Sequence, residues 1–369
     1  MSARRSRSTS EPPHHSAANP SAVRPGVARR VTLADVAREA GVSTALVSIV
    51  MRGVPGASAS TRERILKLAA DLGYVPDSRA RVLRQDRSHL LGVMFGVQQP
   101  FHADLVEGIY AAAETTGYDV VLSAVTDGRP EARAVDTLLA DRCEALILLG
   151  PESPKAWLAD LAGRLPVVTV ARTVTAPGIE VVRTADAKGI GLAVEHLVGL
   201  GHRRIVHVDG GNAPGADQRR RGFRAAMQRY GLDPTVVPGG LTEDSGALAT
   251  SALLATEPLP TAILAFNDRC ATGVLDTLYR ADVKVPAQVS VVGFDDTHLA
   301  GFSHIDLTTV RQDAPLMARL AVERAVARLE GAESEAATRD SVVPPALVVR
   351  GTTARPSRGS AGSAVAAPA

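Results

Sequence analysis

The sequence predicts an N-terminal all-α head followed by an α/β body of two lobes with parallel sheets. Three observations predict it. Apolar residues recur at helical spacing over residues 31–75. From Leu90 onward, short and nearly continuous apolar runs alternate with helical stretches, which is the pattern of parallel strands covered on both faces. That alternation runs for about 260 residues, a length that suits two cores better than one.

Residues 1–30 are mostly Ser, Pro, Arg and Ala and bury too little apolar surface to order themselves, so they read as a disordered tail. Residues 352–369 read the same way. In the head, Leu33, Val36, Ala37 and Ala40 form one helical face, with Thr32 and Asp35 as a capping box that uses Asp in place of Glu. Gly41-Val42-Ser43 stops this helix and caps the next, residues 44–52, with Val47 and Val50 inward. A third helix is expected over residues 61–72, with Ile65, Leu66, Ala69 and Leu72 inward and Gly73 at its end. A helix, a tight turn containing Gly and a second helix make a helix-turn-helix. Residues 76–89 form a hinge or linker rich in Arg.

In the body, strands are expected at residues 89–95, 119–123, 145–149, 167–170, 205–208, 262–265 and 289–292. Helices are expected at 104–116, 188–200, 218–230, 245–256 and 269–281. Open α/β sheets bind ligands beyond the carboxyl ends of their strands, so a cleft between the lobes is the expected ligand site.

Composition narrows the function. Net charge is only +2, yet residues 1–89 carry 15 Lys and Arg against 7 Asp and Glu, and the rest 26 against 32. A basic head on an acidic body suits a polyanion partner for the head alone. Cys143 and Cys270 lack metal-ligand spacing, so neither a disulfide scaffold nor a zinc site is expected. No apolar run is long enough for a membrane span, and no apolar stretch follows Arg4, Arg5 and Arg7 as in a secretory signal. A cytoplasmic protein is expected. No Gly-x-Gly-x-x-Gly follows the first strand, and no phosphate loop, nucleophile elbow or metal cluster stands out. Neither catalytic residues nor a cofactor is expected.

The head motifs are specific. Val31-Thr32-Leu33-Ala34-Asp35-Val36-Ala37, Ala40-Gly41-Val42-Ser43, Val47-Ser48, Ser58 with Thr61-Arg62, and Gly73-Tyr74-Val75-Pro76 resemble the LacI/GalR family of repressors, and the resemblance runs from about residue 31 to 351. It implies that Thr44 and Ala45 face base edges in the major groove of operator DNA. It also implies that Ser43, Ser48, Arg52, Ser58, Thr61 and Arg62 hold phosphates. Helix capping or an intrahelical bond is the alternative for Ser48 and Thr61. Ile49 stands where the family usually has Arg. Ile donates no hydrogen bond, so the preferred operator should depart from the usual half-site. Residues 76–84 resemble the family's hinge, with Leu83 at the position of the leucine wedged between base pairs and Arg81 near the phosphates. A flexible linker is the plainer alternative.

Body motifs extend the resemblance to the periplasmic sugar-binding-protein fold. They include Asp186 with Gly189, residues 200–205, Arg219 with Gly222-Phe223, Asn267-Asp268, Gly293-Phe294-Asp295-Asp296, and Leu307 to Val310 with Gln312. The resemblance gives lobe 1 as about 90–185 plus 313–341, and lobe 2 as about 186–310 plus 342–351. Arg219, Asn267 and Asp295 match ligand-contacting positions, and their chemistry suits the paired hydroxyls of a sugar. Asp186, Arg172, Gln312 and Phe101 are further candidates. An ion pair between the lobes or a loop anchor is the alternative for Arg219 and Asp295. The resemblance implies a repressor that binds a near-palindromic operator as a homodimer, with tetramer left open, under control of a small effector. The competing class is a sugar-binding receptor with a vestigial head.

Overall fold

The computed structural model describes residues 31–51, 53–74, 87–331 and 339–357. The head and the body, which begins at Arg87, are separate compact units.

The head is three helices: α1 (Leu33–Ala40), α2 (Thr44–Met51) and α3 (Ala59–Asp71). Thr32 Oγ1 accepts from the Asp35 amide at 3.3 Å, and the Thr32 amide donates to Asp35 Oδ2 at 2.9 Å, so the capping box is reciprocal with Asp doing the work of Glu. Gly41, at φ 62°, closes α1 in the left-handed conformation that favours Gly. Helix α3 starts two residues before the expected Thr61 because Ser58 caps it, accepting from the Thr61 amide at 3.2 Å. Val36, Val47, Val50 and Ile65 are the centre of the core. Leu66, expected inward, is 44% exposed.

The body has two sheets of six strands among the described residues. The first contains β1 (Leu90–Gly96), β2 (Asp119–Val125), β3 (Ala145–Leu149), β4 (Val167–Val170), β5 (Ile179–Thr184) and β11 (Asp340–Val343), in the order β11-β5-β4-β3-β1-β2, all parallel. Helices α4 (Pro100–Glu114), α5 (Glu131–Ala140), α6 (Lys155–Ala162) and α11 (Ala314–Leu329) cover it. The second contains β6 (Ile205–Val208), β7 (Thr235–Val237), β8 (Ala262–Ala265), β9 (Ser290–Asp295), β10 (Thr308–Arg311) and β12 (Ala346–Val348), ordered β12-β10-β9-β8-β6-β7. Only β12 runs antiparallel, against β10. Helices α7 (Asp186–Leu200), α8 (Ala216–Arg229), α9 (Glu243–Leu254) and α10 (Asp268–Arg280) cover it. Each sheet has an apolar cluster on both faces, which is why β3, β4, β6 and β8 are buried at every position.

The chain passes between lobes after β5, after β10 and after β11. Helix α4 begins four residues before the expected 104, with Pro100 in its first turn, where a missing amide costs nothing. Residues 352–354, expected to be tail, are tied to the second sheet. Thr352 Oγ1 donates to the Val291 carbonyl at 2.7 Å and accepts from the Thr308 amide at 2.9 Å, and Thr352 is buried. These bonds tie the segment after β12 to the starts of β9 and β10, which a composition reading has no means to detect. No helix among the described residues is long and apolar enough to cross a membrane.

Candidate functional site

A cavity of about 650 Å³ lies between the lobes, where the carboxyl ends of β1 and β3 face the starts of α8 and α10. Both lobes line it: Gln98 and His102 from lobe 1, and Arg219, Phe266, Asn267 and Asp295 from lobe 2.

Arg219, in the first turn of α8, is buried. Its Nε donates to Asp186 Oδ1 at 2.8 Å and its Nη1 to the Phe266 carbonyl at 2.7 Å. The guanidinium lies 3.6 Å from the ring centre of Phe294 and 4.6 Å from that of Phe266. Its Nη2 stands 3.9 Å from Asp295 Oδ1. Gln312 Nε2 donates to that same Oδ1 at 2.8 Å. Asp295 ends β9 at φ 120°, a backbone region side chains rarely adopt, so the strand end is strained to aim this carboxylate. Burial pushes its carboxyl above the usual aspartate range, against the opposing pull of Arg219 and Gln312.

Asn267 is the N-cap of α10; its Oδ1 accepts from the Cys270 amide at 2.8 Å, a bond that does not use its amide nitrogen. Asp268, next in the chain, is buried and structural. It accepts from Thr309 Oγ1 at 2.6 Å and from the Thr297 amide at 2.8 Å, tying α10 to β10 and to the segment after β9. Burial and the neighbouring Asp295 charge push its carboxyl up as well.

Of the seven effector candidates, Phe101, Arg219, Asn267, Asp295 and Gln312 line the cavity. Phe101 does so from within the lobe 1 core. Asp186 stands behind Arg219 and orients it. Arg172 is elsewhere: its Nη1 donates to the Pro151 and Ser153 carbonyls at 2.5 and 2.7 Å, so it anchors the loop after β3 and is not among the lining residues. The alternative of an ion pair between lobes fails geometrically, because Arg219, Asp186 and Asp295 all sit on lobe 2 elements.

Several lining residues escape the sequence reading, His102, Phe266 and Glu131 among them. His102 accepts from the Gly96 amide through Nδ1 at 3.0 Å, and burial lowers its pKa to about 4, so the ring is neutral with its proton on Nε2. Phe266 supplies one face for Arg219. Glu131 accepts from the Glu152 and Ser153 amides at 2.6 and 2.9 Å and shapes the rim. For His102 a signal existed: it stands in the first helical turn after the first strand, where ligands of α/β sheets gather.

In the head, Ser43, Thr44 and Ala45 are exposed around the start of α2, and Ser48 and Ile49 are half-buried. Ser43 Oγ accepts from the Leu46 amide at 3.2 Å. Ser58 Oγ donates to Thr61 Oγ1 at 2.8 Å. Arg62 Nη2 donates to the Val54 carbonyl at 2.8 Å and so fixes the loop between α2 and α3. Ile49 packs against that loop; a Cβ on Gly56 would stand 3.2 Å from its Cγ2. Arg52, Arg81 and Leu83 lie outside the described residues. Among the described residues no group of three His, Cys, Asp or Glu is placed to hold a metal ion.

Residues 32–77 match the family model of bacterial regulatory proteins, lacI family, and residues 194–353 match the periplasmic binding protein-like domain. The ribose operon repressor of Escherichia coli K12 is 32% identical over 307 residues, covering 81% of this chain and 93% of that protein. Among solved structures, a LacI transcriptional regulator from a Rhodococcus species is 53% identical, covering 72% of this chain and 98% of that one, with a TM-score of 0.70. The lac repressor dimer bound to operator and the anti-inducer ONPF is 30% identical, covering 88% and 100%, with a TM-score of 0.75. With a helix-turn-helix head, a two-lobed body and these relatives, the chain belongs to the lacI family of bacterial regulatory proteins and is a DNA-binding regulator of transcription.

Proposed function

We propose that the protein is a repressor that binds a near-palindromic operator as a dimer and is released or retained by a small sugar held between the lobes. The observation that carries the effector half is the cavity wall in which Arg219, Asn267, Asp295 and Gln312 converge from four elements. A guanidinium, an amide donor and a carboxylate at one wall match the alternating donors and acceptors of a polyol. The relatives named for ribose and for the lac operator support a sugar, an operator and a dimer.

On the DNA side, the exposed Thr44 and Ala45 read base edges. Ser43, Ser48, Ser58, Thr61 and Arg62, with Arg52 and Arg81, set the register on phosphates. Leu83 is the minor-groove wedge. Ile49, packed against the Gly56 loop, offers an apolar flank where a thymine methyl fits and a guanine gains no partner. Working on the chromosome, the protein acts in the cytoplasm, and its cleft binds without catalysing. Dimers on half-sites about one helical turn apart follow from two-fold symmetry. The test is a gel shift with a palindrome upstream of its own gene, with and without each member of a sugar panel. A retarded band altered by one sugar is expected. No band at low salt refutes the operator reading, and a band that no sugar alters refutes the effector reading.

A further inference from the structure

Among the described residues two hydrogen bonds run from side chains of lobe 2 to groups of lobe 1, and they are unequal. Arg269, second residue of α10, donates from Nη1 to the backbone carbonyl of Gln98 at 2.7 Å. Gln218 Nε2 reaches Thr173 Oγ1 at 3.4 Å, a long contact between neutral groups. Arg269 is held ready from its own lobe. Its Nε lies 2.9 Å from both carboxylate oxygens of Glu243, the first residue of α9, and its Nη2 lies 2.5 Å from Oε2. A carboxylate that grips the guanidinium on two nitrogens fixes its plane, so Nη1 points one way without further ordering cost. The Arg269 side chain is only 13% exposed, while its partners Gln98 and Glu243 are exposed.

The acceptor's position gives the contact its meaning. Gln98 lies in the loop between β1 and α4, and this loop, with the start of α4, carries Gln98, Gln99, Phe101 and His102 into the cavity lining. Pulling on the Gln98 carbonyl therefore moves the lobe 1 wall of the site as a unit. The acceptor is backbone, so no lobe 1 side chain has to be matched to it.

We propose that Arg269, oriented by Glu243, is a positioning residue that straps the β1–α4 loop to lobe 2 and sets the closing equilibrium of the two lobes. A charge-assisted hydrogen bond of this kind shifts that equilibrium about tenfold. Its consequence for effector affinity rests on the effector reading above; the strap itself does not.

The test uses the full-length protein without effector. Exposed Asp136 on α5 and exposed Ser251 on α9 are replaced by cysteine and spin-labelled, while the native Cys143 and Cys270 are buried and stay unlabelled. The distance distribution between the labels is then measured by pulsed electron resonance, with thermal melting as the check on folding. Arg269→Gln should lengthen and broaden the distribution, lowering the closed-to-open ratio about tenfold at an unchanged melting midpoint. Glu243→Gln should shift it in the same direction, and the double variant no further than Arg269→Gln alone. Arg269→Lys, which keeps the charge, should recover part of the closed population. A distribution unchanged by Arg269→Gln in a folded protein overturns the strap, as does a double variant whose shift is the sum of the two singles. Because no sugar enters the measurement, its failure leaves the effector reading standing, and failure of every sugar to bind leaves the strap standing.

Discussion

Replacing His102 by Gln should remove a specific part of the protein's acid sensitivity. An amide oxygen can accept the Gly96 N–H in place of Nδ1, and it does not titrate between pH 4 and 7. In the folded body burial lowers the His102 pKa to about 4, against 6.5 for the free side chain. As pH falls, the unfolded chain takes up this proton first, so the stability that neutral His102 contributes is complete above about pH 6.5. It is lost progressively down to pH 4, with no further loss below. From pH 7 to pH 5 the loss is about 2 kcal/mol. Other buried groups also act in this range. His207, likewise lowered to about 4 by burial, adds to the loss. The raised carboxyls of Asp268 and Asp295 oppose it, because they bind protons in the fold before they do in the unfolded chain. All three are common to the wild type and the variant, so they cancel in the comparison. Urea unfolding at pH 7 and pH 5, followed by the fluorescence of the single Trp157 in lobe 1, measures both proteins. The wild type should lose about 2 kcal/mol more than His102→Gln on going to pH 5. Equal losses, within about 0.5 kcal/mol, refute a buried neutral His102 at the cavity wall.

Asp295→Asn removes the acceptor charge facing Arg219 and should weaken sugar binding at least tenfold by calorimetry, about the 1.5–3 kcal/mol of a hydrogen bond to a charged group, while gel shifts without sugar stay unchanged. Phe223→Ala, at a fully buried position between α8 and the second sheet, should cost about 3–5 kcal/mol in urea unfolding. Leu83→Ala should weaken operator binding in gel shifts and leave sugar binding intact; unchanged operator affinity removes the wedge role.

What could be read from the chain follows physical range. The head was legible because its signals are local. A capping box from Thr32 to Asp35, a Gly at a left-handed turn and the helical spacing of Leu33, Val36, Ala37 and Ala40 need no distant partner. The central strands were legible because both faces are buried and every residue is apolar. The edge strands β7, β11 and β12 were not, since their exposed positions break the apolar run. Strand β5 hides behind a buried Glu180 and the half-buried Arg183, which read as loop chemistry. Arg172 went astray for a related reason. A guanidinium near a strand end looks the same in sequence whether it meets a ligand or two backbone carbonyls, and the carbonyls of Pro151 and Ser153 have no side-chain signature.

The geometry at Arg219 and Asp295 bears on the choice between a closed ion pair and a ligand site. A pair that served stability alone would close to hydrogen-bond distance, as Arg219 does with Asp186 at 2.8 Å. Between Nη2 and Asp295 Oδ1 the gap is 3.9 Å, too wide for a hydrogen bond. Arg219 has little freedom to close it, since Asp186, the Phe266 carbonyl and two aromatic faces fix its plane. Asp295 is fixed from the other side by Gln312 and by its strained backbone. A group that both accepts and donates, such as a sugar hydroxyl or a water molecule, can use both, accepting from Nη2 while donating to the carboxylate. Burial and a strained strand end hold a donor and an acceptor apart here, an arrangement that supports the proposed hydroxyl-binding site over a finished salt bridge.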